Sequence, residues 1–187
     1  MKMGKAMRQT NNSRFFRKSL RLKHYDYSQP GAYFVTIVTY ARKCLFGEVR
    51  DGYMALSDAG LMVCQVCSEM GKRMEGFSMG PYQVMPNHFH AIFMLGMEDD
   101  LQGDKFPDTL PSDSELTLSA VMDRFKSLTT YRYIQAVKTA GWPKFDSHLW
   151  QRSFYDHVIR DDKDFEAISD YIYANPANWA EDQENQN

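Results

Sequence analysis

The chain has 187 residues, 43% hydrophobic and 25% charged, enough for one domain with a sizeable core. No apolar run nears the roughly 18 residues of a membrane span, and three cysteines (Cys44, Cys64, Cys67) are too few, and odd in number, for a disulfide framework. The net charge of −2 hides an asymmetry: residues 1–23 hold eight Lys or Arg and no acid, which leaves −10 on the remainder.

Such an arm suits phosphates, because each neutralised phosphate releases condensed counterions. Arg14, Arg17, Lys18, Arg21 and Lys23 are its candidate contacts, and Phe15 and Phe16 favour docking over free solvation. The arm lacks the apolar stretch of a secretory signal, so a cytoplasmic protein with reduced thiols is expected. The domain reading is a basic arm over 1–23, one domain over 24–179 and an acidic tail over 180–187.

Residues 33–40 are β-branched and aromatic and follow the turn signal Pro30-Gly31, so they read as a strand. Residues 47–56 read as a hairpin around Asp51-Gly52. Ser57 is placed to cap a helix ending near Gly76, in which Val63, Cys64, Cys67, Met70 and Met74 form one stripe. That stripe makes Cys64-x-x-Cys67 a pair of core thiols rather than a zinc or redox motif, since no second Cys pair exists.

A short strand over 82–85 leads through Pro86-Asn87 into His88-Phe89-His90 and an apolar run to Leu95. Side chains alternate along a strand, so His88 and His90 share one face while Phe89, Ala91, Phe93 and Leu95 line the other, the core side. A neutral imidazole is the commonest metal ligand; spacing alone leaves a ligand pair and two strand-edge histidines equally open.

Residues 98–115 are acidic and carry Pro, Gly and Ser, so a mobile loop is expected. Leu118, Val121, Met122, Phe125 and Leu128 give helical spacing over about 117–137, which Gly141-Trp142-Pro143 ends. Residues 153–160 read as a strand. Asp162 is expected to cap a last helix with core stripe Phe165, Ile168 and Ile172, which Pro176 stops. Strands and helices in this order predict an α+β fold, an antiparallel sheet covered by helices on one face.

On that last helix Tyr171 and Asn175 are four residues apart, hence on one face beside the core stripe; Tyr173 falls on the opposite flank. Tyrosine can act as a covalent nucleophile, although a helix tyrosine that packs its ring and exposes its hydroxyl has the same signature. Its phenol ionises only near 10, so attack on phosphorus needs a polarised phosphate, which a divalent metal supplies. Two imidazoles, an amide oxygen and the oxygens of a bound phosphate suit Mg²⁺ or Mn²⁺ better than a structural zinc.

With these segments in view the chain resembles the REP-associated tyrosine transposases of the HUH nuclease superfamily. The matching stretches include Gly31-Ala32-Tyr33-Phe34-Val35-Thr36, Val84-Met85-Pro86-Asn87-His88-Phe89-His90, Phe125-Lys126-Ser127, Leu149-Trp150-Gln151-Arg152, Tyr155-Asp156-His157-Val158-Ile159-Arg160 and Asp170-Tyr171-Ile172-Tyr173-Ala174-Asn175-Pro176. They run in order over about 21–179; no one of them is specific, but the ordered set is. Asp156 departs from the glutamate commoner before His157.

The resemblance implies a ferredoxin-like fold, metal ligands His88, His90 and Asn175, and the nucleophile Tyr171. It also implies an enzyme that cleaves and rejoins single-stranded, hairpin-bearing DNA through a 5′-phosphotyrosine link, with Mg²⁺ or Mn²⁺. Lys126 and Arg152 join the arm as expected nucleic-acid contacts. No membrane partner is expected, and monomer or dimer stays open. A non-catalytic nucleic-acid-binding module with the same fold is the alternative; it lacks an RNP-like signature. A metal-dependent hydrolase would have no need of Tyr171.

Overall fold

A computed structural model of the chain describes residues 26–96 and 116–185. The basic arm, with Arg14, Arg17, Lys18, Arg21 and Lys23, and the expected loop over 98–115 lie outside the described residues. The elements in chain order are β1 (Gly31–Val38), β2 (Gly47–Arg50), β3 (Tyr53–Leu56), α1 (Asp58–Arg73), β4 (Phe77–Val84), β5 (His88–Leu95), α2 (Leu118–Thr139), β6 (Tyr155–Ile159) and α3 (Asp162–Ala174). Among the described residues no helix is long and apolar enough to cross a membrane.

Four strands form one antiparallel sheet in the order β4-β5-β1-β6, and β2-β3 is a separate hairpin. Without that hairpin and α3, the order is the βαββαβ of a ferredoxin-like fold, so the α+β expectation is borne out. The helices α1 and α2 cover one face. There Tyr33, Val35 and Ile37 of β1 and Phe89, Ala91, Phe93 and Leu95 of β5 meet Val63, Val66, Cys67 and Met70 of α1 and Val121, Met122 and Phe125 of α2. Each Val, Ile, Met or Phe among them contributes about 1.5–3 kcal/mol on full burial. Cys67 is buried and its thiol held well above its usual range by burial, so the Cys-x-x-Cys segment is core, as its stripe predicts.

The one-face expectation describes α1 and α2 but not α3. That helix packs on the opposite face, with Ile168 and Ile172 against Phe34 of β1 and Ile92 of β5. The sheet is therefore apolar on both sides at β5, and only the histidine end of that second face is polar.

Local boundaries differ where sequence signals compete. The first strand starts at Gly31, two residues before the predicted start. β4 is eight residues long rather than four, because a register shift between Met79 and Tyr82 lets Gly80-Pro81 stay inside the strand. The α3 cap is Asp161, whose carboxylate accepts from the Asp164 amide at 2.8 Å, and not Asp162. Ser57 caps α1 as predicted, accepting from the Gly60 amide at 3.2 Å.

Candidate functional site

Cross-strand pairing assembles the site. In the antiparallel register His90 of β5 stands opposite Thr36 of β1, and Thr36 opposite Tyr155 of β6, so these three side chains share the α3 face. His88 lies two residues before His90 on that same face, and their rings are 4.4 Å apart between centroids. Both histidines are buried, although they sit at a strand start.

α3 supplies the rest. Asn175 keeps helical backbone angles (φ −58°, ψ −42°) despite the proline that follows, so Tyr171 and Asn175 do project from one side, a turn apart. The Tyr171 ring lies 5.4 Å from that of His90 and 6.0 Å, edge-on, from Phe34. Phe34 in turn stacks on His90 at 5.6 Å. Asn175 is buried, with its amide nitrogen 3.4 Å from His90 Nε2. Tyr173 is 63% exposed on the far flank, as its helical position predicts. One chain thus brings His88, His90, Asn175 and Tyr171 together.

Hydrogen bonds fix the imidazoles. Asn87 Nδ2 donates to the carbonyls of Arg42 and Glu184, at 3.3 and 2.7 Å, so its Oδ1 is the atom 2.9 Å from His88 Nδ1. An amide oxygen only accepts, which puts the His88 proton on Nδ1 and leaves the Nε2 lone pair facing the site. His90 Nδ1 is held at 2.7 Å by the Thr36 hydroxyl. Arg42 and its neighbour Ala41 have φ of 53° and 55°, left-handed values that cost energy in non-glycine residues.

Burial keeps both rings neutral. It pushes His90 down to about 3, and lowers His88 well below its usual 6.5, helped by the closeness of the second imidazole, beside which a proton is disfavoured, and by the Arg42 charge. The Tyr171 phenol moves the other way, held well above 10 by burial first and then by the Asp182 carboxylate. His88 Nε2 and Asn175 Oδ1 are buried without a hydrogen-bond partner among the described residues. Two neutral imidazoles and an amide oxygen, of which His88 Nε2 and the amide oxygen have no partner among the described residues, are a donor set that fits a divalent cation.

Sequence reasoning missed Asp182. The ligating atoms of His88, His90 and Asp182 all lie within 4.8 Å of one another, a grouping that could hold a metal ion. Asp182 belongs to the segment read as an acidic tail, and no spacing rule links it to a strand some ninety residues earlier. Asn87 and Thr36 were legible only inside longer motifs.

Two expected nucleic-acid contacts stand elsewhere. Lys126 Nζ donates to the carbonyls of Gln151 and Arg152 at 3.3 and 2.8 Å and lies 5.6 Å from the Phe154 ring, which clips residues 151–154 to α2. Arg152 is exposed. Asp156, the departure noted in the motif, is buried and accepts from the Tyr27 hydroxyl at 2.6 Å on the α1/α2 side of the sheet, away from the histidines.

No known protein-family model matches the chain. A Haemophilus influenzae protein of uncharacterized function is 32% identical over 178 residues, covering 89% of this chain and 92% of that protein. A second protein of the same organism, named as a REP-associated tyrosine transposase, is 28% identical over 157 residues, 81% of this chain and 73% of that protein. A solved REP-associated tyrosine transposase bound to a REP hairpin shares the fold, with a TM-score of 0.52 and 21% identity over 83% of this chain and 72% of that one.

Proposed function

We propose that this chain, which is 28% identical to a protein named as a REP-associated tyrosine transposase, belongs to that family and cleaves and rejoins single-stranded DNA bearing a hairpin, with Tyr171 as nucleophile. The observation that carries this reading is the contact between two chemistries. A tyrosine whose ring is 5.4 Å from His90 stands against a buried imidazole pair, one of whose Nε2 atoms has no partner among the described residues.

In the proposed reaction the Tyr171 oxygen attacks a backbone phosphorus, and the bond from phosphorus to the 3′-oxygen breaks. The phenol loses its proton and the departing oxygen gains one, which leaves a 5′-phosphotyrosine and a free 3′-hydroxyl. Attack by a 3′-hydroxyl on that link reverses the step or joins a new strand and returns Tyr171. One phosphodiester is exchanged for another, so no energy source is required. A divalent metal, Mg²⁺ or Mn²⁺, would supply Lewis-acid polarisation of the phosphate, held by His88, His90 and Asn175.

The chain's own residues prepare that step. Thr36 and Asn87 hold each imidazole by Nδ1 and so aim Nε2 at the phosphate site. Phe34 packs against both the His90 and the Tyr171 rings and so buttresses the pair from one side. Burial keeps the phenol protonated until substrate arrives, which limits stray attack by Tyr171. Arg152 and the basic residues of 1–23 are proposed to contact the strand, whose backbone charge suits them.

The test is incubation with hairpin-bearing single-stranded DNA and Mn²⁺ or Mg²⁺, followed by a denaturing gel. A protein–DNA adduct that survives denaturation is the expected result, and His88→Ala and His90→Ala should each abolish it while leaving the fold intact. Full cleavage by either variant contradicts the ligand pair.

A further inference from the structure

Residues 176–185 leave α3 through a 3-10 turn, Pro176–Glu181, and fold back over the histidine pair. Trp179 lies 5.9 Å from the His88 ring. Ala177 rests against the Gly52 turn of the β2-β3 hairpin, and Arg42 pairs with Glu184 at 2.8 Å. The Asp182 side chain is only 3% exposed, with Oδ2 at 3.8 Å from His88 Nε2.

That separation is too long for a hydrogen bond, and no proton is available on Nε2 to make one. The Asn87 amide, pinned by two carbonyls, has already put the His88 proton on Nδ1. A buried carboxylate therefore faces a buried lone pair at 3.8 Å with no hydrogen bond joining the two, an arrangement that costs energy unless a cation bridges them. Two ligands each about 2 to 2.2 Å from one ion sit roughly 3 to 3.6 Å apart, so the observed spacing closes with a shift of a few tenths of an ångström.

The same segment reaches His88 by a second route. The carbonyl that orders Asn87 at 2.7 Å belongs to Glu184, so the His88 tautomer depends in part on where the tail lies.

We propose that Asp182 is a ligand of the cation held by His88 and His90, and that metal binding and docking of residues 176–185 are one linked equilibrium. The inference rests on the metal reading of the histidine pair. Linkage is reciprocal: if the docked tail raises metal affinity by some factor, metal must favour docking by that same factor. The carboxylate also adds a hard oxygen donor to two imidazoles, which favours Mn²⁺ or Mg²⁺.

The test uses the full chain and Mn²⁺ alone, without DNA. Affinity is read from the electron paramagnetic resonance signal of free Mn²⁺. Docking is read from hydrogen exchange at the amides of Asp182, Glu184 and Asn185, which donate within the docked segment at 3.2, 2.7 and 3.0 Å. In the wild type, Mn²⁺ should slow exchange at these three amides. Asp182→Asn should weaken Mn²⁺ binding about tenfold or more and remove that slowing, whereas Asp170→Asn, on the exposed side of α3, should change neither.

Wild-type amides that exchange at one rate with and without Mn²⁺ would overturn the linkage. Asp182→Asn binding Mn²⁺ like the wild type while His90→Ala does not would overturn the ligand and leave the histidine reading intact. His90→Ala binding Mn²⁺ like the wild type would overturn the histidine reading, and this inference with it.

Discussion

On the face of the sheet covered by α1 and α2, β1 and β5 present Tyr33, Val35, Ile37, Phe89, Ala91 and Phe93, all fully buried among apolar neighbours. On the face covered by α3, the same two strands present Phe34, Thr36, His88, His90 and Ile92. Alternation along one backbone thus yields a wholly apolar core on one side and, on the other, a smaller apolar cluster that gives way to the polar histidine site. A slip of a single residue in the register of β5 would exchange the two, so the dry face is what locks the histidines into place.

The largest effect expected from this contrast is on stability. Phe125 stacks on Phe89 at 4.9 Å and meets Trp150 at 5.7 Å, so Phe125→Ala should cost about 3–5 kcal/mol in urea denaturation at pH 7. His90→Ala should cost less than half as much, since the ring it removes serves the pocket. Equal costs would break the distinction between the faces.

Acid should separate the faces next. The native His90 ring stays neutral down to about 3, and His88 is lowered as well, while the unfolded chain takes up these protons near 6.5. The unfolded state then binds more protons between these values, so the part of the metal-free stability that these rings govern is fully present above about 6.5 and falls as pH drops toward 3. Asp182 and Glu184, raised chiefly by burial, act with the opposite sign: their stabilisation is present at low pH and lost as pH rises through their native values. Melting curves across this window should show a shallower acid loss in His90→Ala and an unchanged one in Phe125→Ala.

Smaller effects sharpen the picture. Thr36→Val keeps the shape but leaves the buried His90 Nδ1 without its partner, at a cost of about 1–3 kcal/mol. Mn²⁺ affinity should fall roughly 10- to 100-fold; isothermal titration giving wild-type affinity would remove Thr36 from the site. The smallest effect concerns the arm. Deleting residues 1–20 removes six of its eight cations, and binding to single-stranded DNA should weaken with a shallower dependence on salt. An unchanged salt slope would leave the arm without a phosphate role.

How far the sequence could be read follows from the range of each interaction. Period-2 alternation in β1 and β5 and the helical stripes of α1 and α2 are local, so the α+β core was legible, while its ferredoxin-like topology was implied only by the resemblance. Tyr171 and Asn175 were legible because both lie on one helix turn. The side of the sheet that α3 covers was not, since Phe165, Ile168 and Ile172 look alike whichever face they pack on. Asp182 was least legible: its approach to His88 depends on a 3-10 turn, the Arg42–Glu184 pair and the Asn87 amide, none of which leaves a periodic trace.

The central claim is that Tyr171 is the nucleophile of a site whose metal ligands begin with His88 and His90. It is tested most directly by the denaturation-resistant adduct with hairpin-bearing single-stranded DNA, formed with Mn²⁺ by the wild type, Tyr171→Phe and Tyr173→Phe. Tyr171→Phe keeps the ring and loses only the attacking oxygen, while Tyr173 lies about 200° away around α3. The account predicts an adduct in the wild type and Tyr173→Phe and none in Tyr171→Phe, with the melting temperature nearly unchanged. An adduct that persists in Tyr171→Phe, or one that fails to form with the wild type on hairpin substrates, would contradict it.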